Sequence, residues 1–339
     1  MDIILTAITF IPFIFILWIA NLAQRQREAG QPSSIVAGLS YGFLAALYVS
    51  LILIGLLLHL AGGILQGNAA PGVEEVTALL PTLPRIGFAL WFPSLVGILL
   101  LLPALRRQAA PVVPIDPGSP VHAVALSYIA LVLINLMSTL AVGLGNLADM
   151  VESAGGQQSG ISALGLWSQN LLFVILALVG AGWLSRRSLR QTLQRLGVVV
   201  PGWRQVALGL LAGASMAILA VLVVVLSDRL GWTNKESERL SELLAGGLTG
   251  SWLGIASLGL AAGIGEEALF RGALQPRFGL GLTTLIFALM HVQYGFSLAT
   301  VLIVVLGLVL GVIRQRANTT TAMITHAAYN IGVVLVSLL

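Results

Sequence analysis

About ten apolar runs, most of them roughly 20 residues long, divide this chain of 339 residues, and each ends at a charged or Pro/Gly-rich break. They cover 3–23, 35–62, 86–105, 121–148, 161–184, 205–227, 251–275, 281–295, 298–313 and 318–338. A run of this kind has the length of a helix that crosses a bilayer. In hydrocarbon the backbone polar groups must be satisfied internally, and a helix does so within one segment. The expected fold class is therefore all-α, a polytopic transmembrane helical bundle of about ten spans. The charge content agrees: Asp, Glu, Lys and Arg make up only 9% of the chain, against about 25% in a typical soluble domain. Too few charges are present to coat a globule. That excludes a soluble enzyme, a disordered chain and a nucleic-acid module. With no cysteine, disulfides, thiolate nucleophiles and Cys-based metal sites are excluded as well.

The charges also set an orientation. With the N-terminus outside, the inside breaks collect Arg25, Arg27, Arg106, Arg107, Arg186, Arg187, Arg190, Arg195, Arg204, Arg271, Arg277, Arg314 and Arg316. Outside fall only Arg85, Arg229, Lys235 and Arg239, together with the acids Asp2, Glu74, Glu75, Asp149, Glu152, Asp228, Glu236, Glu238 and Glu242. A helix missed in the middle would scramble this alternation, so the positive-inside rule predicts both termini outside. Met1-Asp2 followed at once by an apolar run lacks the basic n-region of a cleavable signal, and the run is read as a retained first helix.

Three regions follow. Residues 1–184 form an N-terminal transmembrane region of unassigned role. Residues 185–204 form a basic amphipathic linker, with Leu189, Leu193 and Leu196 at helical spacing among arginines. Such a segment can lie along an anionic cytoplasmic surface, or serve as a solvated linker whose charges set topology. Residues 205–339 form the third region. On the outer side, Thr233 and Glu236 fit a capping box ahead of Leu240, Leu243 and Leu244, which predicts a short surface helix.

Glu28 and Asp116 fall in inside breaks, and the two acids left lie inside a span: Glu266 and Glu267, in Gly263-Ile-Gly-Glu-Glu-Ala-Leu-Phe-Arg271. A charge at mid-span costs about 2.5–3.5 kcal/mol on insertion scales, so the pair needs a reason. Glu267 and Arg271 are four residues apart with the acid first, the favourable order for a helical ion pair. Glu266 points about 100° away and has no evident partner. A carboxyl group taken out of water holds its proton more readily, which suits general acid–base work. His291 follows in Phe287-Ala-Leu-Met-His291, where Phe287 shares its helical face. His326 and Asn330, one turn apart near the end, both offer hydrogen-bond donors of the kind an oxyanion needs. Asn330 also suits polar contact between helices. Glu266, His291 and His326 each lie about ten residues from a basic edge, about 15 Å at the helical rise, and so at one depth. Gly259/Gly263 and Gly307/Gly311 permit close helix contact. His59 and His122 lack clustered acids and read as structural.

The runs EEALFRG, FALMH and HAAYN, in that order, resemble the CPBP family of intramembrane proteases. That family includes Ras-converting, prenyl-dependent CAAX endopeptidases and bacterial immunity and processing proteins. The resemblance covers about 205–339 and leaves the first 200 residues without assignment. It implies that Glu266 and His291 activate a water for attack on a peptide bond. It further implies that His326 and Asn330 stabilise the oxyanion, while Glu267, Arg271 and Phe287 support the site.

No cofactor and no metal is expected. A zinc-dependent alternative would use Glu266, His291 and His326 as ligands, although their spacing matches no HExxH signature. The implied partners are a membrane-associated peptide or protein, lipidated or not, and anionic lipids at the cytoplasmic face, with no nucleic acid. The implied location is a bacterial plasma membrane. Two other readings of the same residues stay open: a proton-coupled transporter, whose inverted repeats are not visible here, and a non-catalytic immunity or binding protein.

Overall fold

The computed structural model describes residues 3–67, 80–156 and 160–337. Asp2, Glu74 and Glu75, used above for orientation, lie outside the described residues. Among those described, every regular element is helical, apart from an isolated bridge between Trp183 and Arg187. Eight helices are long and apolar enough to cross a membrane. One of the eight, Trp252–Met290, is 39 residues long. Its interior holds Gly279 at φ 76°, ψ 174°, a left-handed position that divides it into two passes. With α15 (Thr319–Ser337) added, about ten passes result, as the apolar runs predict. The chain is an integral, multi-pass helical membrane protein.

The N-terminal region comprises α1 (Ile3–Glu28), α2 (Ser34–Gly67), α3 (Leu83–Leu100), α4 (Pro103–Ala109), α5 (Pro120–Ser127), α6 (Ile129–Val142), α7 (Leu144–Ser153) and α8 (Ala163–Ala181). The span predicted over 121–148 stops at Val142, because Gly143 takes φ 89° and turns the chain. The amphipathic α7 then packs Leu144 and Ala148 against Leu240. The linker holds α9 (Leu189–Leu196), opened by a capping box between Ser188 and Gln191.

The C-terminal region comprises α10 (Trp203–Arg229), α11 (Lys235–Thr249), α12 (Trp252–Glu267), a π-helix (Ala268–Leu274), α13 (Gln275–Met290), a 3-10 turn (Val292–Tyr294), α14 (Leu298–Arg316) and α15. The predicted surface helix is α11, but its cap differs. Asn234 accepts from the Ser237 amide at 3.1 Å, one residue past the expected Thr233. Asparagine is as good a cap as threonine or better, so this shift costs nothing.

Small residues set the packing around the site. A Cβ at Gly263 would stand 2.8 Å from the Met323 carbonyl oxygen, so α12 and α15 touch backbone to backbone. A Cβ at Gly307 would lie 3.0 Å from Thr284 Cγ2 and 3.3 Å from Phe287 Cδ1, which seats α14 on α13. The contacts also sort the breaks to two ends. At one end Arg27 bonds Asp116, Arg25 bonds the Ser185 carbonyl and Arg186 pairs with Glu28. At the other, Arg239 pairs with Asp149 and Glu152, and Ile161 donates to the Leu244 carbonyl.

Candidate active site

Glu266 and Glu267 end α12, and the helix then widens into the π-helix that carries Arg271. Stretches of π geometry are rare and occur often at functional sites. Glu267 Oε2 accepts from Arg271 Nε at 3.0 Å, with both side chains fully buried. The other oxygen, Glu267 Oε1, lies 3.0 Å from His326 Nδ1 on α15. One carboxylate thus binds a cation on its own helix and an imidazole 59 residues away in sequence. The sequence reading paired Glu267 with Arg271 but assigned it no contact with His326.

Arg271 NH1 and NH2 make no hydrogen bond among the described residues. Its guanidinium instead lies 4.8 Å from the ring centroid of Phe287, a cation–π contact between two buried side chains. Phe287 is itself 0% exposed and stands between the site's polar groups. Its centroid is 4.7 Å from that of His291, 6.0 Å from that of His326 and 5.2 Å from that of Phe270. The shared face of Phe287 and His291 is therefore observed, and Phe287 also touches Arg271 and His326.

The span predicted over 281–295 is shorter than expected. The helix ends at Met290, and His291 leaves it at φ −97°, ψ 44°. The next turn is a 3-10 piece that closes at Gly295, φ 55°. Its backbone groups are met locally: Tyr294 N donates to His291 O, and Thr300 Oγ1 to Gly295 O. Irregular backbone at membrane depth needs such internal satisfaction. Release from the helix orients the imidazole. Nδ1 lies 2.8 Å from the Phe287 carbonyl, which can only accept, so Nδ1 donates there and a neutral ring keeps its lone pair on Nε2.

That Nε2 faces Glu266 Oε2 across 3.8 Å. The gap is too long for a direct hydrogen bond and somewhat shorter than the ~4.4 Å between two acceptors of one water, so a water bridging them would make bent bonds. Both side chains are just under one-fifth exposed, unlike the sealed Glu267 and Arg271. Tyr294, three residues on, stacks on His291 with ring centroids 6.4 Å apart and planes 10° apart. Asn330 Nδ2 donates to the Leu258 carbonyl at 3.2 Å, so one of its N–H groups joins α15 to α12 and the other remains. Glu266, Glu267, Arg271, Phe287, His291 and His326 converge directly, whereas Asn330 enters through α12. Among the described residues no three His, Asp or Glu side chains gather as a metal-ligand set.

His59 and His122 lie elsewhere. His59 Nδ1 meets the Pro84 carbonyl at 2.8 Å, and His122 Nδ1 accepts from the Asp116 amide at 2.8 Å.

The structure thus places Glu266 opposite His291 within the membrane-spanning segments, beside a buried Glu267–Arg271–His326 triad. Residues 248–332 match the family model described as type II CAAX prenyl endopeptidase, Rce1-like. Over this stretch the chain is similar to the Rce1-like family of type II CAAX prenyl endopeptidases, and the remaining residues lie outside the match. The match holds α12, the π-helix, α13, α14 and most of α15, and so every site residue named above. No curated protein and no solved structure matches the chain.

Proposed function

We propose that the chain is an intramembrane endopeptidase in which Glu266 and His291 activate a water on the scissile carbonyl. The observation that carries this reading is the 3.8 Å gap between Glu266 Oε2, which is buried and has no hydrogen-bond partner among the described residues, and His291 Nε2. A water donating to both turns its oxygen lone pairs outward, toward a substrate carbonyl carbon. As the new C–O bond forms, the water's proton passes to Glu266, which then delivers it to the leaving amine nitrogen as the C–N bond breaks. A His326 protonated on both nitrogens donates from Nδ1 to Glu267 and from Nε2 to the oxyanion, with the free N–H of Asn330 as a second donor. Glu267, Arg271 and Phe287 hold these groups and do not touch the substrate.

In this reading the basic breaks face the cytoplasm of a bacterial plasma membrane and both termini lie outside. The substrate is a membrane-associated peptide or protein segment, lipidated or not, that presents its bond at the depth of Glu266. The reaction needs no metal.

The test is cleavage by protein reconstituted in liposomes, with substrates drawn from proteins that accumulate when a strain carries Glu266→Ala in place of the wild type. Glu266→Ala should be inactive yet inserted and folded; full cleavage by it would overturn the mechanism. Prolonged 1,10-phenanthroline should leave the wild type active. Inhibition reversed by zinc would place a metal on Glu266, His291 and His326 instead.

A further inference from the structure

A second charged cluster stands outside the active site, at the basic end of the bundle. Arg186 and Arg187 follow α8, Arg195 lies on α9, Arg277 begins α13 and Arg314 ends α14. Arg186 has a counter-ion, Glu28, and a further acceptor in Asn21. Among the described residues the other four have no carboxylate partner. Arg187 donates to the Ala181 carbonyl at 2.5 Å and Arg314 to the Arg271 carbonyl at 3.3 Å. Arg277, only 6% exposed, donates to the carbonyls of Ala273 and Gly180. Carbonyl oxygens satisfy the N–H groups but do not cancel the charge.

The arginines also sense one another. Arg187 and Arg277 bond successive carbonyls, Ala181 and Gly180, a Cβ at Gly197 at the end of α9 would stand 2.7 Å from Arg314 Cζ, and Arg195 senses the charges of Arg187 and Arg314. Burial, with these like charges around it, holds Arg195 below the ordinary guanidinium range. Arg187, Arg195 and Arg314 are all partly exposed, so an anion can reach them. Planar guanidiniums suit phosphate in particular, because each can offer two parallel N–H groups.

The surroundings indicate where such a phosphate would come from. The cluster lies where α8 and α14 end, at the edge of the apolar spans. Beside it Leu184, Val200 and Trp203 are exposed by 63%, 96% and 76%. Unsheltered aliphatic and indole side chains beside arginines belong at the boundary between headgroups and acyl chains.

We propose that Arg187, Arg195 and Arg314, backed by Arg277, bind the phosphate of an anionic membrane lipid, and that the bound lipid braces α9 against the catalytic π-helix. The contacts that would transmit the bracing are present. Leu196 of α9 packs on Gly272 of the π-helix, where a Cβ would come within 3.2 Å of it. Thr319 at the start of α15 bonds the Leu196 and Gly197 carbonyls. Arg314 itself bonds the carbonyl of Arg271, the residue that pairs with Glu267. A phosphate shared by α9 and α14 would thus tie the linker to both sides of the segment bearing the Glu267–Arg271 pair.

The test is the melting temperature of the full chain in phosphatidylcholine nanodiscs with increasing phosphatidylglycerol, and separately with inorganic phosphate. Phosphatidylglycerol should raise the melting temperature saturably by several degrees, and inorganic phosphate at matched concentration should not. Arg195→Gln should lose at least half of the rise, whereas Arg190→Gln, at an exposed position on the same helix, should keep it. An absent rise in the wild type, an equal rise with inorganic phosphate, or a full rise in Arg195→Gln would each overturn the proposal. The wild-type series decides even if Arg195→Gln fails to fold. Because unfolding is read and not cleavage, the outcome is separate from that of the proteolytic reading.

Discussion

Helix α2 and the run Trp252–Met290 are both apolar enough to span a membrane, yet they live in different solvents. In the most apolar window of each, 17% of residues are buried by protein in α2 and 61% in Trp252–Met290. Leu53, Leu57 and Leu60 of α2 lie open to lipid, and α2 carries no Asp, Glu, Lys or Arg, its His59 being bonded to the Pro84 carbonyl. The other run holds Glu266, Glu267, Arg271 and Arg277. Lipid offers a charge nothing, whereas surrounding protein supplies partners, so ionisable groups in a membrane reside where protein replaces lipid. The difference in burial is thus a difference in what chemistry each segment can carry.

The sharpest way to break this comparison is at the open pair. His291→Ala removes one of the two acceptors proposed for the water and should lower kcat by about 10²-fold or more with little change in melting temperature. Activity within a few-fold of wild type would separate the site from its geometry. Next comes the sealed pair. Glu267→Ala strands Arg271 and deprives His326 of its acceptor, and removing one partner of a buried ion pair costs about 3–5 kcal/mol. An unchanged melting temperature would show that Arg271 finds another partner.

A smaller effect contrasts glycines in the two regions. Gly263→Ala forces a methyl toward the Met323 carbonyl and should cost about 1–3 kcal/mol. Gly42→Ala in α2 meets nothing within 4 Å and should leave the melting temperature unchanged or slightly raised. Equal losses at both positions would mean that close packing does not distinguish the regions.

The smallest effect lies in the N-terminal region's loops. The hydrogen bond from Arg27, with the Gly118 amide and nearby cations, holds the Asp116 carboxyl below the usual carboxylate range despite partial burial. Its stabilisation is therefore present at neutral pH and is lost as pH falls below the unfolded-state value through the lower folded one. Both side chains are well exposed, so the loss should be slight. Arg27→Gln should remove this acid-dependent component of the melting temperature, and an unaltered acid profile would assign it elsewhere.

The bundle was legible from the sequence because helix formation in lipid is dictated locally, by length and apolarity. The Glu267–Arg271 pair was legible for the same reason, as its partners are one turn apart. Element ends were less so. Gly143 and Gly279 stop or divide their helices by adopting positive φ, and a glycine in an apolar run does not announce which backbone state it will take. The π-helix and the exit of His291 from α13 left no periodic trace, since both depend on what the neighbouring helices allow.

By itself, then, the sequence determined the solvent, the number of passes, the three polar motifs and their common depth, because each depends on residues near in the chain. Tertiary structure alone decided that Glu267 serves Arg271 and His326 together, that Phe287 stands among Arg271, His291 and His326, and that Glu266 faces His291 at 3.8 Å. Those relations join residues up to 59 positions apart. They rest on how closely glycine-lined helices approach, and that distance is set by packing between segments.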